Sequence, residues 1–198
     1  MLQYDAAGQI GINFSFKAMF MFLMGMMILL PFVAEKKDKA NEAVDPPSQG
    51  VLRVEIFWED DANIDVDLWV KGPVGTAVGY SNLGGPLWNL LRDDLGTLMD
   101  VSGRNMEIAY TRGIWNGEYI VNAHLFNLKG GVLPVKIKVV VSYKEDEQSP
   151  SKEMFFTNQE LKAGGQELTI VRFMVKDLKV DMSSLSSLQK KIRSSKAN

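Results

Sequence analysis

The densest run of side chains able to do chemistry is Glu59-Asp60-Asp61, followed closely by Asp65 and Asp67. Hard cations such as Ca²⁺ take several oxygen ligands in one small volume, and carboxylates around a turn supply them. Asp65 and Asp67 differ by two, so on a strand both project from the same face. Asp60 and Asp61 fall in the preceding turn, where Asn63 can add a carbonyl. Asp60, Asp61, Asp65 and Asp67 are therefore the candidate Ca²⁺ ligands, and 59–67 is the candidate cation- or glycan-binding turn. The competing reading is a solvated acidic turn whose repulsion is relieved by Lys71 or Arg92. An EF-hand is excluded, because its Gly and distal Glu are missing.

The other reactive residue types do not assemble into a catalytic pattern. The single histidine, His124, alternates with Asn122 and Phe126, and no Ser-His-Asp arrangement surrounds it. A structural or exposed role suits it better. Asp93-Asp94 beside Arg92 reads as a hydrogen-bonded loop, because adjacent carboxylates seldom converge on one substrate atom. Gly84-Gly85 and Gly130-Gly131 are turns, since neither opens a helix after a strand as a phosphate cradle does. The absence of cysteine removes disulfides and thiolate metal sites. A net charge of −2 gives no drive toward nucleic acid, and no basic-aromatic patch suggests one. A non-enzymatic protein is expected.

The elements that must position these residues follow a marked change in composition. Ala18 to Ala34, AMFMFLMGMMILLPFVA, carries no charge and spans roughly 25 Å as a helix, close to the hydrocarbon thickness of a bilayer. Ile10 to Phe16 extends it, Lys17 reaches the headgroups along its own stem, and Pro31 falls where the last turn needs few partners. The expected layout is a short lead over 1–9 and a single transmembrane helix over 10–34. A linker follows over 35–50, stiffened by Pro46-Pro47 and reaching at most about 50 Å. Polar or small groups along the helix, Asn13, Ser15, Lys17, Met24, Gly25 and Pro31, are the candidates to meet the bilayer or a partner helix. A cleaved signal peptide fits less well, for lack of a basic start and a small-x-small site.

From Val51 the hydrophobic period becomes two. Leu52, Val54, Ile56 and Trp58 alternate with Arg53, Glu55 and Phe57. Further alternating runs follow at 65–70, 76–81, 106–110, 118–126, 133–143, 154–156 and 166–176, separated by turn signals such as Gly72-Pro73 and Asn116-Gly117. This predicts an all-β domain over 51–180, an antiparallel β-sandwich of seven or eight strands. Pro86 to Gly103 departs from the pattern. Its Leu87, Leu90, Leu91, Leu95 and Leu98 suit a helical turn or an ordered loop over one end of the sandwich. The Ser-rich, basic stretch 181–198 reads as a flexible tail.

Residues LRVEIFWEDDANIDVDLWVKGPVGTAVGYSN from Leu52 resemble the opening of YfaP-like bacterial domains: a strand ending in Trp, an acidic turn, an Asp-x-Asp-Leu-x-Val strand, a Pro-x-Gly turn and a Tyr-Ser-Asn end. GEYIVNAHLFN, Gly117 to Asn127, is similar to that family's Gly-x-Tyr strand. The resemblance implies an exported β-sandwich without an assigned activity, and Gly85 to Arg104 departs from it. The N-terminus is similar to single-pass subunits of the ExbD, TolR and MotB type, through Ile12-Asn13-Phe14-Ser15 and Pro31. That resemblance implies a TolQ/ExbB/MotA-type ring partner, a homodimeric helix pair and a periplasmic domain on the bacterial inner membrane. The Asp that carries the ion in those subunits is missing from Ala18 to Ala34. The three lysines of EKKDK after the helix favour the opposite orientation, so the periplasmic placement rests on the resemblance.

Overall fold

In this computed structural model the residues described are Met21, 51–95, 103–146 and 149–193. The alternating segments form nine strands: β1 (Val51–Phe57), β2 (Asp65–Lys71), β3 (Trp88–Arg92), β4 (Met106–Thr111), β5 (Gly117–Asn127), β6 (Val135–Lys144), β7 (Lys152–Leu161), β8 (Glu167–Lys176) and β9 (Lys179–Ser186). They make two antiparallel sheets, ordered β3-β4-β1-β6-β7 and β2-β5-β8-β9. The fold is thus all-β, as the period-two reading requires. Of the expected membrane helix only Met21 is described, and it is helical. Among the described residues no helix is long and apolar enough to cross a membrane.

Alternation decides which side chains fill the space between the sheets. Leu52, Val54 and Ile56 of β1 join Val139 and Val141 of β6 from one side, and Val66, Leu68 and Val70 of β2 come from the other. Tyr119 and Phe173 stack at 5.3 Å between ring centres, with Trp88 edge-on to Tyr119 at 6.2 Å. Such pairs contribute about 0.5–1.5 kcal/mol beyond the area they bury. The Tyr119 hydroxyl donates to the Trp115 carbonyl and accepts from the Trp115 amide, so its polar end is satisfied. Burial still pushes the phenol up to about 12, so it stays protonated at neutral pH.

Three segments differ from the sequence reading. Leu87 to Leu95 forms no helical turn: Trp88–Arg92 is a strand on the edge of the five-stranded sheet, with an irregularity between Leu90 and Arg92. Trp88 and Leu90 alternate inward while Leu91 faces out, and Leu87 is also buried, so a strand carries leucines at helix-like spacing. Thr76 to Ser81 forms only isolated bridges, Val70 with Val78 and Gly79 with Asn82. The stretch from 181 carries β9 up to Ser186 and then a strap to Arg193. The Lys190 carbonyl accepts from Asn122 and Thr169, and the Glu167 carboxylate accepts from the amides of Ile192 and Arg193. Arg193 ends 5.8 Å above the Trp69 ring.

Candidate functional site

β2 is an edge strand, so half of its backbone groups have no ladder partner on their outer side. Two devices close that edge. The Val70 amide and carbonyl pair with Val78 at 2.9 and 2.8 Å. The Leu68 amide donates to Glu107 Oε2 at 2.6 Å, from β4 of the other sheet. Glu107 Oε1 accepts from the Asp94 amide at 3.2 Å. Glu107 shares the inward face of β4 with Ala109, which brings a carboxylate into the seam between the sheets. Burial pushes its proton affinity well above the usual carboxylate range, and the two amide bonds offset that only in part.

Around this edge other carboxylates gather. Val66, Leu68 and Val70 face the core, so Asp65 and Asp67 face away from it on the outer side of the four-stranded sheet. Both are nonetheless buried, at 3% and 2% exposure, and share a cavity with Tyr80, which precedes β3, and with Asp93 and Leu95, which follow it. Asp67 Oδ2 lies 2.7 Å from His124 Nδ1, directly across the β2–β5 register. Asp65 Oδ2 lies 3.3 Å from Lys129 Nζ, which also donates to the Leu95 carbonyl. Burial raises the Asp65 carboxyl, with Lys129 working against it and Asp67 and Asp93 adding to it. Asp65 Oδ1 has no hydrogen-bond partner. Ligand oxygens of Asp67, Asp93 and Glu107 come within 4.8 Å of one another. A cavity of about 50 Å³ beside them is lined by Asp65, Asp67, Tyr80, Asp93, Leu95 and Phe126.

The apolar rim also has a local cause. Asp65 pairs with Asn127 and Val66 with Leu125, so Phe126 is the extra residue of a bulge in β5. A bulge re-aims the residue it releases. Phe126, 49% exposed, leans on Tyr80 at 5.4 Å, and Tyr80 meets Trp69 edge-on at 5.6 Å. Gly79 makes that approach possible, since a Cβ there would sit 2.5 Å from the Trp69 ring.

The structure divides the four carboxylates expected to bind Ca²⁺. Asp65 and Asp67 enter the cluster. Asp60 and Asp61 stay on the turn, where Asp60 Oδ1 accepts from the Asn105 amide at 3.0 Å and Asp61 is exposed. The Asn105 side chain ties the same turn down through the carbonyls of Glu59 and Ala62. The cation beside Asp65 is Lys129, in place of the expected Lys71 or Arg92. Arg92 instead pairs with Asp94 at 2.6 Å and donates to the Arg104 carbonyl. Asp94 is held by Arg92 and the Met106 amide, whereas Asp93 lines the cavity. The residues that sequence reasoning missed are Asp93 and Glu107 with their neighbour Lys129. The one available signal was Glu107 sharing an alternating face with Ala109 and Thr111. Asn13, Ser15, Lys17, Met24, Gly25 and Pro31 lie outside the described residues.

A larger open cleft of about 870 Å³ runs past Phe57, Trp58, Lys138, Asn158, Gln159 and Leu168. Lys138 lies over the rings of Phe57 and Phe156 there. It lacks the converging buried charges of the β2 edge, and size alone does not make a site. No protein family, curated protein or solved structure matches the chain.

Proposed function

We propose that this protein is a membrane-tethered, non-enzymatic binding and assembly module. The apolar run 18–34 holds it in the bacterial inner membrane, and the linker stands the two-sheet domain off in the periplasm. The domain presents the acidic, aromatic-rimmed pocket at the β2 edge to a positively charged ligand. The observation that carries the binding half is that pocket. Carboxylates cost several kcal/mol to bury without full compensation, and clusters of this kind mark functional sites more often than chance. The non-enzymatic half is supported by how the reactive groups are used. His124 is buried against Asp67, and Asp94 is buried against Arg92 and the Met106 amide. Neither is placed to reach a substrate.

A narrower form of the proposal makes the chain the ExbD- or MotB-like subunit of an ion-driven motor, on the similarity at Ile12 to Ser15. Alkaline extraction of membranes tests the tether: the full chain is expected in the pellet, and a variant lacking 18–34 in the supernatant. A full chain in the supernatant overturns the proposal. Crosslinking from a photoreactive residue at Phe126 in intact cells tests the binding half. A discrete adduct is expected, and it should vanish with Asp65→Asn. A periplasmic pocket without any adduct counts against it.

A further inference from the structure

We propose that the pocket at the β2 edge binds a divalent cation, Ca²⁺ by size and ligand type, through Asp67, Asp93 and Glu107, with Asp65 lining the cavity beside them. This adds a metal ion to the site proposed above and rests on that reading of the pocket. Three oxygens no farther than 4.8 Å from one another share a point within about 2.8 Å of each (4.8 Å divided by √3). Ca²⁺ takes oxygen ligands at roughly 2.3–2.6 Å, so a contraction of a few tenths of an ångström completes the contacts. Mg²⁺, at about 2.0–2.1 Å and strictly octahedral, needs a larger collapse of buried side chains.

An independent observation points the same way. Asp65 is 3% exposed and lines the cavity, and its Oδ1 has no hydrogen-bond partner. A buried carboxylate oxygen left in that state has lost its hydration with nothing in exchange, and a cation in the cavity supplies its missing partner. The remaining oxygens are held ready. Each Glu107 oxygen accepts one backbone amide, from Leu68 or Asp94, and keeps a second lone pair. His124 on Asp67 Oδ2 fixes that carboxylate, as the outer partners of metal ligands do. The cavity of about 50 Å³ holds an ion with room for about one water, whose share of liquid volume is about 30 Å³. Asp93 is exposed, so the ion keeps a solvent-facing side beside Phe126 and Tyr80.

The ligands come from β2, β4 and the segment after β3. A bound ion therefore joins the free edge of one sheet to the end of the other.

Titration calorimetry and thermal melting of the full chain in detergent, stripped with EDTA and dialysed, test this with CaCl₂, MgCl₂ and MnCl₂. One equivalent of Ca²⁺ is expected to bind, with a rise in melting temperature and at least tenfold weaker response to Mg²⁺. Asp93→Asn, at an exposed position, should weaken Ca²⁺ at least tenfold while the melting temperature of the stripped protein is unchanged. Asp60→Asn should leave binding intact. The proposal is overturned if no cation gives heat or a thermal shift at millimolar concentration, or if Asp60→Asn abolishes binding while Asp93→Asn does not. Failure here with the Phe126 crosslink retained removes the cation and leaves the tethered binding module standing.

Discussion

Asp67 and His124 face each other across the register of β2 and β5, with Oδ2 of one 2.7 Å from Nδ1 of the other and both side chains buried. The pair joins scaffold to site, since the strand ladder sets its spacing and the pocket uses its carboxylate. Replacing His124 by Ala leaves Asp67 buried without that partner, at an expected cost of about 1–3 kcal/mol. Urea melts of His124→Ala, Asp67→Ala and the double variant read it. The double variant should lose clearly less than the sum of the singles, and strict additivity would refute the coupling.

Glu107 closes the free edge of β2. Glu107→Ala removes the acceptor for the amides of Leu68 and Asp94 together, and is expected to cost about 2–4 kcal/mol in denaturant unfolding. Hydrogen exchange should speed up first at Leu68 and Asp94, because those amides lose their partner. Unchanged exchange there would show that the edge is closed by something else.

The strap is expected to respond to acid. Glu118 accepts from Arg172 and from Lys190 at 2.6 Å, and its carboxyl sits below its usual value: burial raises it, but these two cations outweigh that. A depressed carboxylate stabilises the fold above the unfolded-state value of 4.5, and that contribution fades as pH falls through the lower folded-state value. Glu118→Gln should therefore melt lower than wild type at pH 7, with the gap closing by pH 3. A surface pair of this kind is worth about 0.2–1 kcal/mol. A gap that persists at pH 3 would mean the charge is not its source.

Gly79 lies against the indole of Trp69. Gly79→Ala forces the ring or the turn to shift and is expected to cost about 1–3 kcal/mol by overpacking. Near-ultraviolet circular dichroism should report the displaced aromatic row of Trp69, Tyr80 and Phe126. A fully native spectrum and melting curve would show that the turn yields freely.

Much of the architecture was readable from alternation, because a strand buried on one face writes its burial into every second residue. Leu52, Val54 and Ile56 show this plainly. Segment 86–95 was not readable, since its leucines fall on both faces of a short strand, Leu90 inward and Leu91 outward, at a spacing a helix also gives. β9 was hidden by its serines, which satisfy backbone groups locally: the Ser184 hydroxyl donates to the Asp181 carbonyl. At the site, Asp65 and Asp67 could be placed on one face by their separation of two. Asp93 and Glu107 reach them only through pairing of β4 with β1 and β3 and its approach to β2. Such long-range juxtaposition leaves no periodic trace in one sequence.

The place of β1 has a mechanical consequence. Residue 51 opens a strand laddered on both sides, to β4 and to β6. A tug arriving through the preceding segment therefore loads two rows of hydrogen bonds at once, lengthwise, and they must shear together before the strand leaves. β9, at the rim of its sheet, holds to β8 alone and would unzip rung by rung. Resistance to force is a rate property set by the unfolding barrier, so a pull entering at residue 51 meets a higher barrier than one that peels β9 from β8.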